Sequence, residues 1–251
     1  MTETVQLFIT CILDTLYPEV AESVCRVLEK AGAVVMVPAG QTCCGQPAFN
    51  AGMRAEARRM AIHTIQTFDE APGAVVVPSG SCAAMIRHSY PELFAGDSEW
   101  LPRAQSLAQR TYELTEYLVD VLGVTNLGAC YQGKLTYHAS CHLLRELGVE
   151  HQPRALLAQV QGAELVELPE SQECCGFGGV FSLEHPEVSA AMLERKLSNI
   201  EASGAPIVVS CDAGCVTNIN GGLHRQGKTQ RAVHIAEILD TQDGEENDHG
   251  N

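Results

Sequence analysis

Cysteine is the residue type whose numbers and spacing could do chemistry here. Eleven occur in 251 residues: Cys11, Cys25, Cys43, Cys44, Cys82, Cys130, Cys141, Cys174, Cys175, Cys211 and Cys215. Thiolates bind soft metals, and dithiols carry out redox exchange. Two pairs are adjacent and followed by glycine, Cys43-Cys44-Gly45 and Cys174-Cys175-Gly176. Neighbouring side chains on an extended strand point to opposite faces. Both thiols of a pair can therefore serve one site only where the backbone turns, and glycine permits such a turn. Four thiolates are the usual ligand set of an iron–sulfur cluster. A cluster held by thiolates is negative, so free backbone N–H groups in a glycine-rich turn or at a helix start would stabilise it.

The cysteines recur in a doubled pattern. VQLFITCIL (5–13) matches LTYHASCHL (135–143), placing Cys11 opposite Cys141. Gly32 to Gly45 matches Gly162 to Gly176, each an apolar run reaching proline and then Cys-Cys-Gly. AVVVPSGSC, ending at Cys82, matches PIVVSCDAGC, ending at Cys215, and RTYELTEYL (110–118) matches RAVHIAEIL (231–239). Four blocks in the same order mark an internal repeat. The first half then offers Cys11, Cys43, Cys44 and Cys82. The second offers Cys141, Cys174, Cys175 and Cys215, with Cys211 nearby. Cys25 lies on the apolar face of a helical pattern and reads as a buried structural thiol, and Cys130 has no counterpart in the repeat. His138 and His142 flank Cys141 and are open to two readings, metal-site partner or satisfied histidine.

The elements that must position these residues alternate between two periods. Short apolar β-branched runs at 5–10, 33–37 and 74–77, and at 135–138, 163–168 and 206–210, predict strands. Helical spacing predicts Glu19–Ala31, Met53–Phe68, and helices near 153–161 and 186–202. Alternating strand and helix implies an α/β fold with a mostly parallel sheet and crossover helices in each half. Three of the four repeated blocks place a thiol shortly after a strand, at the edge where open α/β sheets bind ligands. The expected organisation is two tandem, pseudo-symmetric domains at 1–127 and 128–240, followed by a disordered acidic tail at 241–251.

Composition narrows the function. Hydrophobic residues are 45% and charged residues 19%, as in ordinary globular chains. A formal net charge of −15 argues against nucleic-acid binding and against an anionic membrane surface. No apolar run approaches the ~20 residues of a spanning helix, and the start lacks a basic segment followed by an apolar one. Eleven cysteines, an odd count, cannot all pair within one chain, and cysteine-rich chains without an export signal bind metal or do redox chemistry. The expectation is a cytoplasmic protein. P-loop, Gly-x-Gly-x-x-Gly and Gly-x-Ser-x-Gly patterns are absent from the sequence.

At TCCGQPAFNAG, PSGSCAAM, ECCGFGGVFS and HIAEIL the chain resembles the Cys-Cys-Gly domain family. That family includes the Cys-Cys-Gly subunit of heterodisulfide reductase and the iron–sulfur subunits of glycolate oxidase and anaerobic glycerol-3-phosphate dehydrogenase. Within it the chain is most similar to the lactate utilisation protein A group, over about residues 4–240. The resemblance implies an iron–sulfur redox subunit of a complex that oxidises L-lactate, or a related 2-hydroxy acid, to pyruvate. It implies one cluster per half, [4Fe–4S] in type, and electron transfer to partners: a ferredoxin-type iron–sulfur subunit and a third, small subunit. The heterodisulfide reductase relative ends each motif with Cys-x-x-Cys. Here the first half has only Cys82, and the second has Cys211-Asp-Ala-Gly-Cys215, which leaves Cys211 as either a fifth ligand or an idle neighbour. Two alternatives stay open: a thiol–disulfide reductase of the heterodisulfide type, and a scaffold subunit with zinc in at least one half.

Overall fold

The β-branched runs form eight strands in two sheets of four. The structure, a computed structural model, describes residues 3–242. The first half runs β1 (Thr4–Leu7), α1 (Cys11–Leu16), α2 (Pro18–Lys30), β2 (Val34–Met36), α3 (Gln46–Asn50), α4 (Arg54–Asp69), β3 (Ala74–Val77) and α5 (Gly80–Ala84). A π-helical turn, Met85–Ser89, leads to α6 (Tyr90–Leu93), α7 (Trp100–Gln109), β4 (Thr111–Glu113) and α8 (Leu114–Glu116), with a second π turn at Tyr117–Val121. The second half runs β5 (Cys130–Tyr137), α9 (Cys141–Arg145), α10 (His151–Leu157), β6 (Gln161–Val166), α11 (Phe181–Glu184), α12 (Pro186–Ser203), β7 (Ile207–Ser210), α13 (Ala213–Arg225), β8 (Arg231–His234) and α14 (Ile235–Asp240).

Local chemistry sets the helix ends. Proline opens α2 and α12, where its missing N–H costs nothing. Gly204 closes α12 at φ +66°, the left-handed conformation that suits glycine. The predicted apolar face of α2, Val20, Val24, Val27 and Leu28, is buried. Each sheet carries a strand the hydrophobic pattern did not predict, β4 and β8, inside the fourth repeated block. The predicted tail falls mostly outside the described residues. At its start, Thr241 is buried, and its carbonyl accepts from the Cys130 N–H at 3.3 Å.

All pairings are parallel, and the orders are β2-β1-β3-β4 and β6-β5-β7-β8. The two halves thus share one topology. In each, the strand order reverses between the first and third strands, the switch point where open α/β sheets leave a crevice at the strands' C-terminal ends. Cys11 and Cys82 follow β1 and β3; Cys141 and Cys215 follow β5 and β7.

The halves pack crosswise about a pseudo-two-fold relation. Helix α1 meets α13, where Tyr17 Oη lies 3.1 Å from Thr217 Oγ1. Its image is α9 on α5, so close that a Cβ added to Gly80 would lie 2.6 Å from Leu143 Cβ. Helix α14 covers α2, with Asp240 accepting from Arg26 at 2.6 Å and from Lys30 at 2.9 Å. Its image is α10 on α8, where Gln152 donates to Asp120 at 2.6 Å. The largest apolar cluster is shared: Val5, Leu7, Val24 and Leu118 from the first half join Leu135, Tyr137, Leu157, Val209 and Leu239 from the second.

Candidate metal centres

Each cysteine set is assembled from three loops at the C-terminal edge of its sheet. Cys11 opens α1, whose N-cap Thr10 accepts from the Leu13 N–H at 3.4 Å; Cys141 opens α9. Cys82 sits one turn into α5 after its cap Ser79, and Cys215 sits likewise in α13 after its cap Asp212. The Cys-Cys-Gly loop comes between. Gln41 holds the first one against the end of β1. Its Oε1 accepts from Ile9 N–H at 2.9 Å, and its Nε2 donates to the carbonyls of Leu7 (2.9 Å) and Pro38 (3.0 Å). In the second half the Ala139 N–H donates to Ser171 O at 3.3 Å.

The turn after each pair requires glycine. Gly45 and Gly176 have φ of +87° and +86°. A Cβ on Gly176 would meet Ser189 O at 2.5 Å, and one on Gly45 would meet Met60 Cβ at 3.2 Å. Each loop is anchored by its second cysteine's carbonyl. Tyr90 Oη donates to Cys44 O at 2.8 Å, and Asn218 Nδ2 donates to Cys175 O at 2.9 Å.

Within each set the thiols touch. Cys44 and Cys82 are 3.3 Å apart at sulfur, as are Cys175 and Cys215, and Cys141 lies 3.9 Å from Cys174. No disulfide joins any of the eight. The packing polarises them. Cys43 is pulled down to about 3 by the Cys11 thiol and then by Cys44, and Cys174 to about 2 by Cys141 and then Cys175. Cys215 is lowered to about 6, first by Cys175 and then, against its burial, by His138. Cys11, Cys44, Cys141 and Cys175 are raised, foremost by donating to those neighbours. Close thiols that donate to one of their number thus favour its deprotonated form. A bound cation would displace the donors' protons, since metals bind deprotonated thiols.

All eight cysteines line one cavity of about 150 Å³ between the halves. Asp212, buried in its wall, links them. Its Oδ1 accepts from Gly214 N–H at 3.0 Å, capping its own helix. Its Oδ2 accepts from Ser79 Oγ and Ser81 N–H, each at 3.0 Å, capping α5 of the other half.

A model of the cysteine-rich CCG domain matches the chain twice, at residues 5–87 and 135–220. The chain belongs to the CCG cysteine-rich domain family. Its relatives match along nearly their whole length. "Lactate utilization protein A" of an Exiguobacterium species is 48% identical over 236 residues, 94% of this chain and 96% of the relative. The proteins of that name from Shouchella clausii (48% over 239 residues, 95% and 99%) and Oceanobacillus iheyensis (46% over 237 residues, 94% and 96%) are similar to it as well. Among solved structures, a hypothetical protein from Helicobacter pylori shares the fold, with a TM-score of 0.66 at 12% identity. The match covers 98% of this chain and half of that one.

In this CCG chain the eight repeated cysteines come together in their two sets. Cys211 does not join them. It takes the position of Pro78 in the repeat, is fully buried off the cavity, and lies 3.8 Å from Tyr137 Oη. Its thiol is raised by burial and by the Glu113 carboxyl. Cys25 is half-buried against the shared core. Cys130 opens β5, remote from the cavity. His142 lines the cavity with Nδ1 3.6 Å from Cys141 Sγ. Among the described residues no helix is long and apolar enough to cross a membrane.

Two functional neighbours escaped the reading of the sequence. One is Asp212; an aspartate before a helical run is a common cap, and nothing in the spacing shows that it caps a second helix. The other is Lys196, wholly buried on α12, with Nζ donating to Glu170 O at 2.8 Å. Burial lowers it to about 8, partly offset by Cys175, Cys215 and Cys174. Met60 and Met192 stand alike over Gly45 and Gly176, so Lys196 takes the place that Thr64 has in the first half. The repeat carried that signal.

Proposed function

We propose that the chain is a cytoplasmic iron–sulfur redox subunit of a complex oxidising L-lactate, or a related 2-hydroxy acid, to pyruvate. Cys11, Cys43, Cys44 and Cys82 hold one centre, and Cys141, Cys174, Cys175 and Cys215 hold the other. The observation that carries this reading is the convergence of two four-thiol sets on one cavity, in a family whose relatives at 44–48% identity bear the name lactate utilization protein A. Cys211 takes no part as a ligand.

The donor set fits such a group: four thiols per site, none in a disulfide, with Cys43 and Cys174 each favoured toward the thiolate by neighbouring thiols that donate to them. An iron–sulfur cluster, when bound, supplies one-electron transfer at a potential tuned by hydrogen bonds, burial and charge. The chain's own residues do the rest. The Cys-Cys-Gly turns aim two adjacent thiols into one site. Helices α1, α5, α9 and α13 start at that edge, each carrying one cysteine of its set in its first turn. Asp212 fixes the distance between the two sets by capping one helix from each half. Partners complete the path: a ferredoxin-type iron–sulfur subunit and a small third subunit.

Structural zinc is the second reading, and sulfur spacing favours it. One tetrahedral ion with sulfur at about 2.3 Å sets its ligands about 3.7 Å apart, close to the observed 3.3–3.9 Å. Iron, sulfide and zinc content per chain, measured on protein purified without oxygen, separates the two. Iron with equimolar sulfide and a visible absorption bleached by dithionite is expected. Zinc without iron would refute the redox reading.

A further inference from the structure

The two halves also differ at the buried position just after their first strands, beside the thiols. His138, the residue after β5, is fully buried, and neither of its ring nitrogens has a hydrogen-bond partner. Leaving a buried polar group unpartnered costs about 1–3 kcal/mol, and native structures rarely tolerate it. The ring is not stranded at random. A ring nitrogen and the sulfurs of Cys175 and Cys215 all lie within 4.8 Å of one another, the one such compact group among the described residues. A single tetrahedral ion, bound at about 2.0–2.3 Å, sets nitrogen and sulfur donors roughly 3.5–3.8 Å apart. The Cys175 and Cys215 sulfurs are 3.3 Å apart, and the ring nitrogen lies within 4.8 Å of both.

The repeat supplies the control. Phe8 holds the same place in the first half: its N–H donates to Val76 O at 2.9 Å, as the His138 N–H donates to Val209 O at 2.9 Å. Phe8 is buried in an apolar cluster and stacks on Phe68 with centroids 5.5 Å apart. The fold at this position therefore asks for a planar buried side chain and nothing polar. What histidine adds is nitrogen, facing two thiols.

We propose that His138 donates a nitrogen ligand to the metal of the second-half centre, which makes that centre a mixed imidazole–thiolate site while the first-half centre is thiolate only. This rests on the reading of the cysteine sets as metal centres, and it makes the halves chemically unequal.

The test uses full-length Cys43→Ser/Cys82→Ser protein, in which only the second half can be loaded, handled without oxygen and grown with imidazole-15N histidine. Pulsed EPR of the dithionite-reduced protein is expected to show a strongly coupled histidine nitrogen that disappears in His138→Phe. An iron-loaded second half without that coupling, or a coupling that survives the substitution, overturns the proposal. Protein without iron would count against the redox function alone, because the donor assignment is then read by Co(II) titration of the metal-free chain. His138→Phe is expected to weaken Co(II) binding at this site at least about 10-fold, a loss that even outer partners of a metal can cause. It should also remove the nitrogen-donor shift of the visible bands. Superimposable titrations of wild type and variant overturn the proposal. His138→Cys guards against misfolding: it is expected to keep tight Co(II) binding with an all-sulfur spectrum, and a spectrum unchanged from wild type would also overturn it.

Discussion

Single residues around the thiols set both geometry and charge. Gly176 is the tightest point, because its φ of +86° and its approach to Ser189 O leave no room for a Cβ. Gly176→Ala is expected to destabilise the protein by about 1–3 kcal/mol. Gly45→Ala should cost less, since the neighbour there is a side-chain carbon at 3.2 Å; urea unfolding of both variants measures the gap. Lys196 places a cation beside the second set that Thr64 does not offer the first. If the second centre is redox-active, Lys196→Met should lower its potential by tens of millivolts, about 59 mV being a tenfold change for one electron. An anaerobic redox titration reads it. Glu113 is another buried ionisable group. It caps α8, its Oε1 lacks a partner, and burial pushes its carboxyl from 4.5 up to about 8. The folded state thus holds this proton more tightly than the unfolded one. The stability this confers is complete below about pH 4.5 and is lost as pH rises through about 8. Glu113→Gln, which resembles the protonated acid, should escape that loss. Wild type is expected to fall behind the variant by on the order of a few kcal/mol between pH 5 and pH 8, and urea unfolding at both pH values would show it.

At the scale of elements, short helices at the sheet edges carry the site, and one carboxylate holds two of them. Ser79 and Asp212 occupy the same place in the repeat and bond to each other, yet only the aspartate caps the helix of the other half. Asp212→Ala should cost about 2 kcal/mol, roughly two caps at ~1 kcal/mol each, while Ser79→Ala should cost about 1. A double-mutant cycle between them is expected to be non-additive. The same scale explains what the sequence disclosed. Strands such as Ala74–Val77 and Ile207–Ser210 are buried apolar runs and were legible. The strands β4 (TYE) and β8 (RAVH) are three and four residues of mixed polarity, too short to show a period, and only their place in a repeated block marked them. Helix α13 was hidden by composition, since Gly221-Gly222 and two asparagines are poor helix formers. The structure accounts for Gly222: a Cβ there would lie 2.8 Å from Leu197 Cδ1, so the glycine lets α12 and α13 approach. The eight cysteines were legible from the repeat alone, because tandem copies place equivalent residues at equivalent sheet edges. What the repeat could not show was that both edges face a single cavity.

The whole molecule behaves as one body although its chain reads as two. The central core draws on both sheets, and α2, α5, α8 and their images all pack across the boundary as well as on their own half. Unfolding by urea is therefore expected to be a single transition, coincident by circular dichroism and by tyrosine fluorescence; two resolved transitions would show that the halves stand alone. The crosswise packing also governs how the molecule can be made. The apolar flank of α2, near the beginning of the chain, is covered by α14, the last described helix, and locked there by Asp240. A chain emerging from the ribosome lacks that cover until α14, in the second half, has been made. The shared core, and with it the cavity that the eight cysteines line between the halves, can therefore form only once both halves have been made.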